Sequence, residues 1–129
     1  MTRTRDAAVA TPVSTLRPVQ AAALLSVLVL CWQFFSAGRV LVGDDALGGH
    51  AAGAIALHVA TALLLGVTVL HGRRTRLWWP AGLAAAVFVL TFAQAWLGSH
   101  GGIALHVPLA LVITIGTVWL AAWSFRSAS

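Results

Sequence analysis

The sequence predicts an all-α protein, a polytopic membrane four-helix bundle running up-down-up-down. Three observations predict it. The 129 residues are 60 % hydrophobic and only 9 % charged, where a soluble domain carries about 25 % charged residues. Four apolar runs, at roughly 18–37, 51–70, 79–98 and 102–123, are each long enough to cross a bilayer, which takes about 20 residues. The charged residues fall between these runs and not within them.

The net charge of +5 comes entirely from arginine, with no lysine. Arg3, Arg5 and Arg17 precede the first run, Arg73, Arg74 and Arg76 separate the second from the third, and Arg126 follows the fourth. Only Arg39 falls on the other side, beside Asp44 and Asp45. The positive-inside rule then puts both termini in the cytoplasm. These arginines set topology, and nothing in their placement suggests a nucleic-acid surface. The first run is longer than a signal-peptide core and ends in Phe34-Phe35 where small residues should begin, so it reads as a retained span.

Residues 1–17 are polar, small and basic, and read as a disordered cytoplasmic tail before one transmembrane domain at 18–126. Pro18 suits the first turn of a helix, and Gly38 suits its end. Cys31, the single cysteine, is a packing residue with no disulfide or cysteine-based metal site to join. The loop 39–49 carries turn chemistry in Asp44-Asp45 and Gly48-Gly49. A metal held there with His50 is the weaker reading, because too few ligands lie nearby. The second run ends at His71-Gly72-Arg73-Arg74. Gly72 is a stop, and His71 reads as an interfacial residue favoured by the negative helix end. Trp78, Trp79, Trp119 and Trp123 mark one membrane surface, and Trp32 and Trp96 the other. Ser99-His100-Gly101 is so short a connection that the third and fourth runs must form an antiparallel hairpin.

The chain repeats itself. Gly53-Ala54-Ile55-Ala56-Leu57-His58-Val59 is answered 48 residues later by Gly101-Gly102-Ile103-Ala104-Leu105-His106-Val107, and eight of the 14 pairs from Gly53 and Gly101 are identical. Two tandem helical hairpins in one orientation, a parallel internal repeat, account for this. The repeat places His58 and His106 at equivalent positions on helices that run the same way. A histidine inside an apolar span usually faces the bundle interior and marks function. His58 lies about seven residues inside its run and His106 about four, so roughly 10 Å and 6 Å deep at 1.5 Å per residue. They are candidate axial ligands of one haem b, with iron as the metal. Two imidazoles on one haem leave no open iron position, which implies electron transfer.

The surroundings leave alternatives open. Gln33 and Gln94 lie near the outer ends of the intervening runs, and each can either orient a ligating histidine or make a plain interhelical hydrogen bond. Arg39 can meet haem propionates or pair with Asp44 or Asp45. A histidine hydrogen-bond network that locks the helices is the non-redox alternative. A non-haem metal is disfavoured because no carboxylate lies in any run. Membrane lipid is an expected partner, with a quinol, a redox protein, a partner subunit or a second copy of the chain as further candidates. An electron carrier or accessory protein is favoured over an enzyme.

Gln94-Ala95-Trp96-Leu97-Gly98, then Ile103-Ala104-Leu105-His106 and Leu109-Ala110-Leu111, resembles the third and fourth helices of one half of haem A synthase. The resemblance implies a four-helix unit with histidines of its second and fourth helices around a haem. It also implies, as a further alternative, a haem-modifying enzyme. The chain has one such half, and it lacks that family's outer-loop glutamate and cysteine pair. It also looks like small four-helix bacterial membrane proteins.

Overall fold

A computed structural model describes residues 15–44 and 46–127. Most of the expected tail, and Asp45, lie outside the described residues. Four helices follow one another: α1 Leu16–Leu41, α2 Leu47–Thr75, α3 Trp79–Ser99 and α4 Ile103–Arg126. All four are long and apolar enough to cross a membrane. Even α3, with 21 residues, spans roughly 30 Å at 1.5 Å per residue, the thickness of the hydrocarbon layer. The fold is the all-α four-helix bundle of a multi-pass membrane protein. Each helix packs on its two neighbours around the ring, while the diagonal pairs α1/α3 and α2/α4 keep their backbones apart.

The helices outrun the apolar runs at several ends. α1 starts at Leu16, ahead of Pro18, and continues through Gly38 to Leu41. α2 starts at Leu47, so Gly48 and Gly49 form its first turn and not a loop, and it continues through Gly72 to Thr75. Arg76, with φ 65°, closes it. Glycine weakens a helix in water because it frees the backbone. Where lipid replaces water, every N–H and C=O needs an internal partner, and the helix continues. The glycines that do turn the chain are Gly43 and Gly101, with φ of 85° and 74°.

The bundle is built inside-out compared with a soluble one. Large apolar side chains such as Leu28, Ile55, Leu105 and Ile115 face outward. The buried faces are dominated by small residues and hydroxyls: Ala23, Ser26, Ala60, Thr61, Thr68, Ala84, Thr91, Thr117 and Ser124. Lipid tails give helices no hydrophobic reason to associate, so close packing of small residues does the work. The hydroxyls are satisfied within their own helices. Ser26 donates to the Ala22 carbonyl at 2.9 Å, Thr61 to Leu57 at 2.8 Å and Thr117 to Ile113 at 2.8 Å.

Two apolar layers fix the register. Val19, Ala23, Leu64, Ala84 and Leu120 fill one. Leu30, Leu57, Val87 and Ile113 fill the other. Leu57 and Ile113 lie the same ten residues from the starts of α2 and α4. Equal distance from the helix start therefore means equal depth on this diagonal. One end of the bundle gathers Arg17, Arg73, Arg74, Arg76 and Arg126, and is tied by Gln20 Nε2 donating to the Ser124 carbonyl at 3.0 Å. The opposite end, the far end, carries the α1–α2 and α3–α4 turns.

A Cβ on Gly116 would lie 2.8 Å from Val87 Cγ2, whereas one on Gly66 would meet nothing within 4 Å. Gly116→Val is expected to destabilise the bundle by about 1–3 kcal/mol, the usual cost of overpacking, and Gly66→Val to leave it unchanged. Reversible unfolding in detergent micelles measures both.

Candidate functional site

The far end holds the polar cluster of the molecule. It starts from a close approach of α1 to α2. Trp32, Gln33 and Ser36 of α1 meet Gly49, His50 and Gly53 of α2. A Cβ on Gly53 would fall 2.6 Å from the Gln33 amide and 2.7 Å from Trp32 Cδ1, so only glycine permits this seam. Trp32 Nε1 donates to the Gly49 carbonyl at 3.1 Å. With its amide nitrogen turned toward α2, Gln33 donates to the His50 carbonyl at 3.0 Å and accepts from the Ala54 N–H at 3.0 Å.

These contacts hold His50. Buried Ser36 donates its hydroxyl to the Gln33 carbonyl at 3.2 Å, and the same oxygen lies 3.0 Å from His50 Nδ1. The Gln33 amide nitrogen also lies 3.3 Å from Nδ1. Because the Ser36 proton goes to the Gln33 carbonyl, Nδ1–H donates to Ser36 Oγ, and the Gln33 amide, itself a donor, supports the ring through the His50 backbone. Nε2 makes no hydrogen bond among the described residues.

His106 is held in a parallel way by the other hairpin. Gly101 turns the chain so tightly that the first turn of α4 lies against the last turns of α3. The His106 ring rests on Gly98, where a Cβ would fall 2.9 Å from Cε1. Its Nδ1–H donates to the Gln94 carbonyl at 2.9 Å. Here too Nε2 makes no hydrogen bond among the described residues. The His50 and His106 rings lie near each other, with centroids 6.5 Å apart and planes inclined at 59°. They are on diagonal helices whose backbones do not touch, so the rings bridge the bundle.

The other expected residues are placed differently. His58 is half-buried; its Nδ1 donates to the carbonyl of Ala54 on its own helix at 2.7 Å. Its ring meets Phe92 of α3 edge-on at 4.3 Å. It sits eleven residues past Leu47, whereas His106 sits three past Ile103. The residue of α4 at the depth of His58 is Thr114. The early start of α2 causes this offset of eight residues, roughly 12 Å at 1.5 Å per residue.

Gln94 contributes its backbone carbonyl to His106, while its side-chain Oε1 is buried without a hydrogen-bond partner. Arg39 pairs with Asp44 at 2.9 Å, both side chains exposed. His100 is exposed and stacks on Trp96 at 4.7 Å. His71 lies at the basic end, buried, with Nδ1 2.8 Å from Thr15 Oγ1 and Trp123 edge-on at 5.5 Å.

The structure thus brings His106 and Gln33 into one cluster with His50 and Ser36, and leaves His58 two turns deeper. Sequence reading set His50 beside a loop, as a weaker metal-ligand candidate with Asp44 or Asp45, by taking Gly48-Gly49 for a turn. A signal was available. Gly49-His50-Ala51-Ala52-Gly53 is a G-x-x-x-G, the helix-contact pattern of membrane helices, and it requires the helix to cover His50.

Chemically, the cluster offers two imidazoles with Nδ1 engaged and Nε2 without a hydrogen bond. A ligating histidine is usually oriented in this way, through its other nitrogen. No group of three or more histidine, cysteine, aspartate or glutamate side chains suited to a metal ion occurs among the described residues. In comparisons with known proteins, no family model, curated protein or solved structure matches the chain.

Paired cysteines test the geometry. A short bis-maleimide should cross-link His50→Cys/His106→Cys within the chain at least several-fold faster than His58→Cys/His106→Cys, as read by mass spectrometry after proteolysis. Equal rates would contradict the offset between His58 and His106.

Proposed function

We propose that the protein binds one b-type haem at the far end of the bundle and transfers electrons there. It does so in a bacterial cytoplasmic membrane, with both termini in the cytoplasm and the far end outward. The observation that carries this proposal is the state of His106. Its Nδ1–H is committed to the Gln94 carbonyl, its ring is seated on Gly98, and a second imidazole lies 6.5 Å away across the bundle.

The donor set fits haem better than a bare ion. A porphyrin supplies four nitrogens, so two imidazoles complete the coordination, whereas zinc wants three or four protein ligands. His106 of α4 is one ligand. The other comes from α2, which carries His50 at the level of His106 and His58 two turns deeper. When bound, haem supplies a one-electron Fe(III)/Fe(II) couple, and two histidine ligands close the iron to substrates. The donor and acceptor are then a membrane quinol or redox protein and a partner outside, and a homo-oligomer or partner subunit fits the same role. Arg17, Arg73, Arg74, Arg76 and Arg126 at one end support the orientation through the positive-inside rule.

A second reading has its own observation. Each histidine of the far end bonds a backbone carbonyl or a hydroxyl: His58 to Ala54, His100 to Trp96, His106 to Gln94 and His50 to Ser36. A purely structural protein with histidines as helix ties would show the same bonds.

Colour separates the two. Protein purified from cells supplied with haem precursor, or reconstituted with haemin, should give a reduced-minus-oxidised spectrum of a low-spin b-type cytochrome at about one haem per chain. A wild type that stays colourless with added haemin would leave the structural reading. Reporter fusions test topology: a cytoplasm-active reporter should function at both termini, and a periplasm-active one only when inserted near Gly43.

A further inference from the structure

We infer that His50, and not His58, is the α2 ligand opposite His106, and that Ser36 and Gln33 of α1 are its positioning residues. This inference rests on the haem reading above and assigns its second ligand.

Depth is the first ground. His50 lies three residues past Leu47 and His106 three past Ile103. Leu57 and Ile113, ten past the same starts, share one packed layer, so the two histidines stand at one level. The second is proximity. Their centroids are 6.5 Å apart across the diagonal, a separation that two bonds to one ion can span. His58 instead packs edge-on to Phe92 at 4.3 Å, and Phe92 is half-exposed on the outer face of α3.

The third ground is the manner of support. Ser36 Oγ lies 3.0 Å from His50 Nδ1, and the Gln94 carbonyl 2.9 Å from His106 Nδ1. In each case a neighbouring helix of the same hairpin fixes the ring through Nδ1, as it does for ligating histidines generally. The Nδ1 of His58 is bonded within its own helix, so among the described residues no second helix holds that ring by a hydrogen bond. The fourth is the seam itself. Gly53 admits the Gln33 amide to 2.6 Å of where a Cβ would stand, so the backbone that carries His50 is clamped to α1 one turn further on. The site would be assembled from all four helices: a ligand and its support from each hairpin.

The test uses the full-length chain in detergent, reconstituted with haemin, with absorption and electron paramagnetic resonance spectra as readouts. Wild type and His58→Ala should both show a low-spin signature at equal haem stoichiometry. His50→Ala and His106→Ala should lose it, turning high-spin or retaining at least tenfold less haem. Added imidazole should restore the low-spin signal in His50→Ala, which also shows that this variant is folded. Ser36→Ala should keep the low-spin signature with a shifted midpoint potential, as expected of a residue that acts through the ligand. A coloured wild type whose low-spin signal survives in His50→Ala and disappears in His58→Ala overturns this inference alone. A wild type that takes up no haem overturns the haem reading together with it.

Discussion

Lipid gives a buried hydroxyl or amide nothing to bond, and the arrangement of this bundle follows from that constraint. Ser26, Thr61, Thr68, Thr117 and Ser124 all return their hydroxyls to carbonyls three or four residues back. Helix faces that have met their own polar needs can pack closely, and small side chains allow them to. The amide of Gln33 and the imidazoles of His50 and His106 instead reach a neighbouring helix. They collect at one end, where the turns Gly43 and Gly101 bring helices together. The proposed site is thereby placed at the far end.

The two hairpins solve the same problem by different means. In α1–α2 the histidine is held by side chains, Ser36 and Gln33, admitted by Gly53. In α3–α4 it is held by a main-chain carbonyl, that of Gln94, with Gly98 as its seat. The difference follows from loop length. The second turn is too tight to leave room for a side chain between the helices, so the ring meets the backbone directly. In the 48-residue register of the repeat, position 50 corresponds to Gly98. What one copy uses as a candidate ligand, the other uses as the space that receives one.

Hydropathy made the four helices and their alternating order legible in the sequence, since no charge interrupts any span and Ser99–Gly101 permits only a hairpin. Gln33 and His106 were legible as polar residues that an apolar span must justify. Helix ends were not legible, because glycine was read with rules learned in water. Gly38, Gly48, Gly49 and Gly72 are all helical here. That misreading hid His50 in a supposed loop and made the sequence repeat look like a repeat in depth. The identity of eight pairs is real, yet α2 begins six residues before Gly53 while α4 begins two after Gly101. Periodicity in a sequence reports ancestry or packing; only helix starts convert it into height.

The inside-out packing also says how such a chain can drift in evolution. On its lipid face, Leu28, Ile55 or Ile115 can be exchanged for any other bulky apolar residue at little cost, because the solvent there has no shape. Ala23, Ala60, Ala84 and Gly116 have no such freedom, since every added methylene must displace a neighbouring helix. Selection on this protein therefore acts on volume before polarity. Its ancestry would be written in the smallest side chains of its sequence.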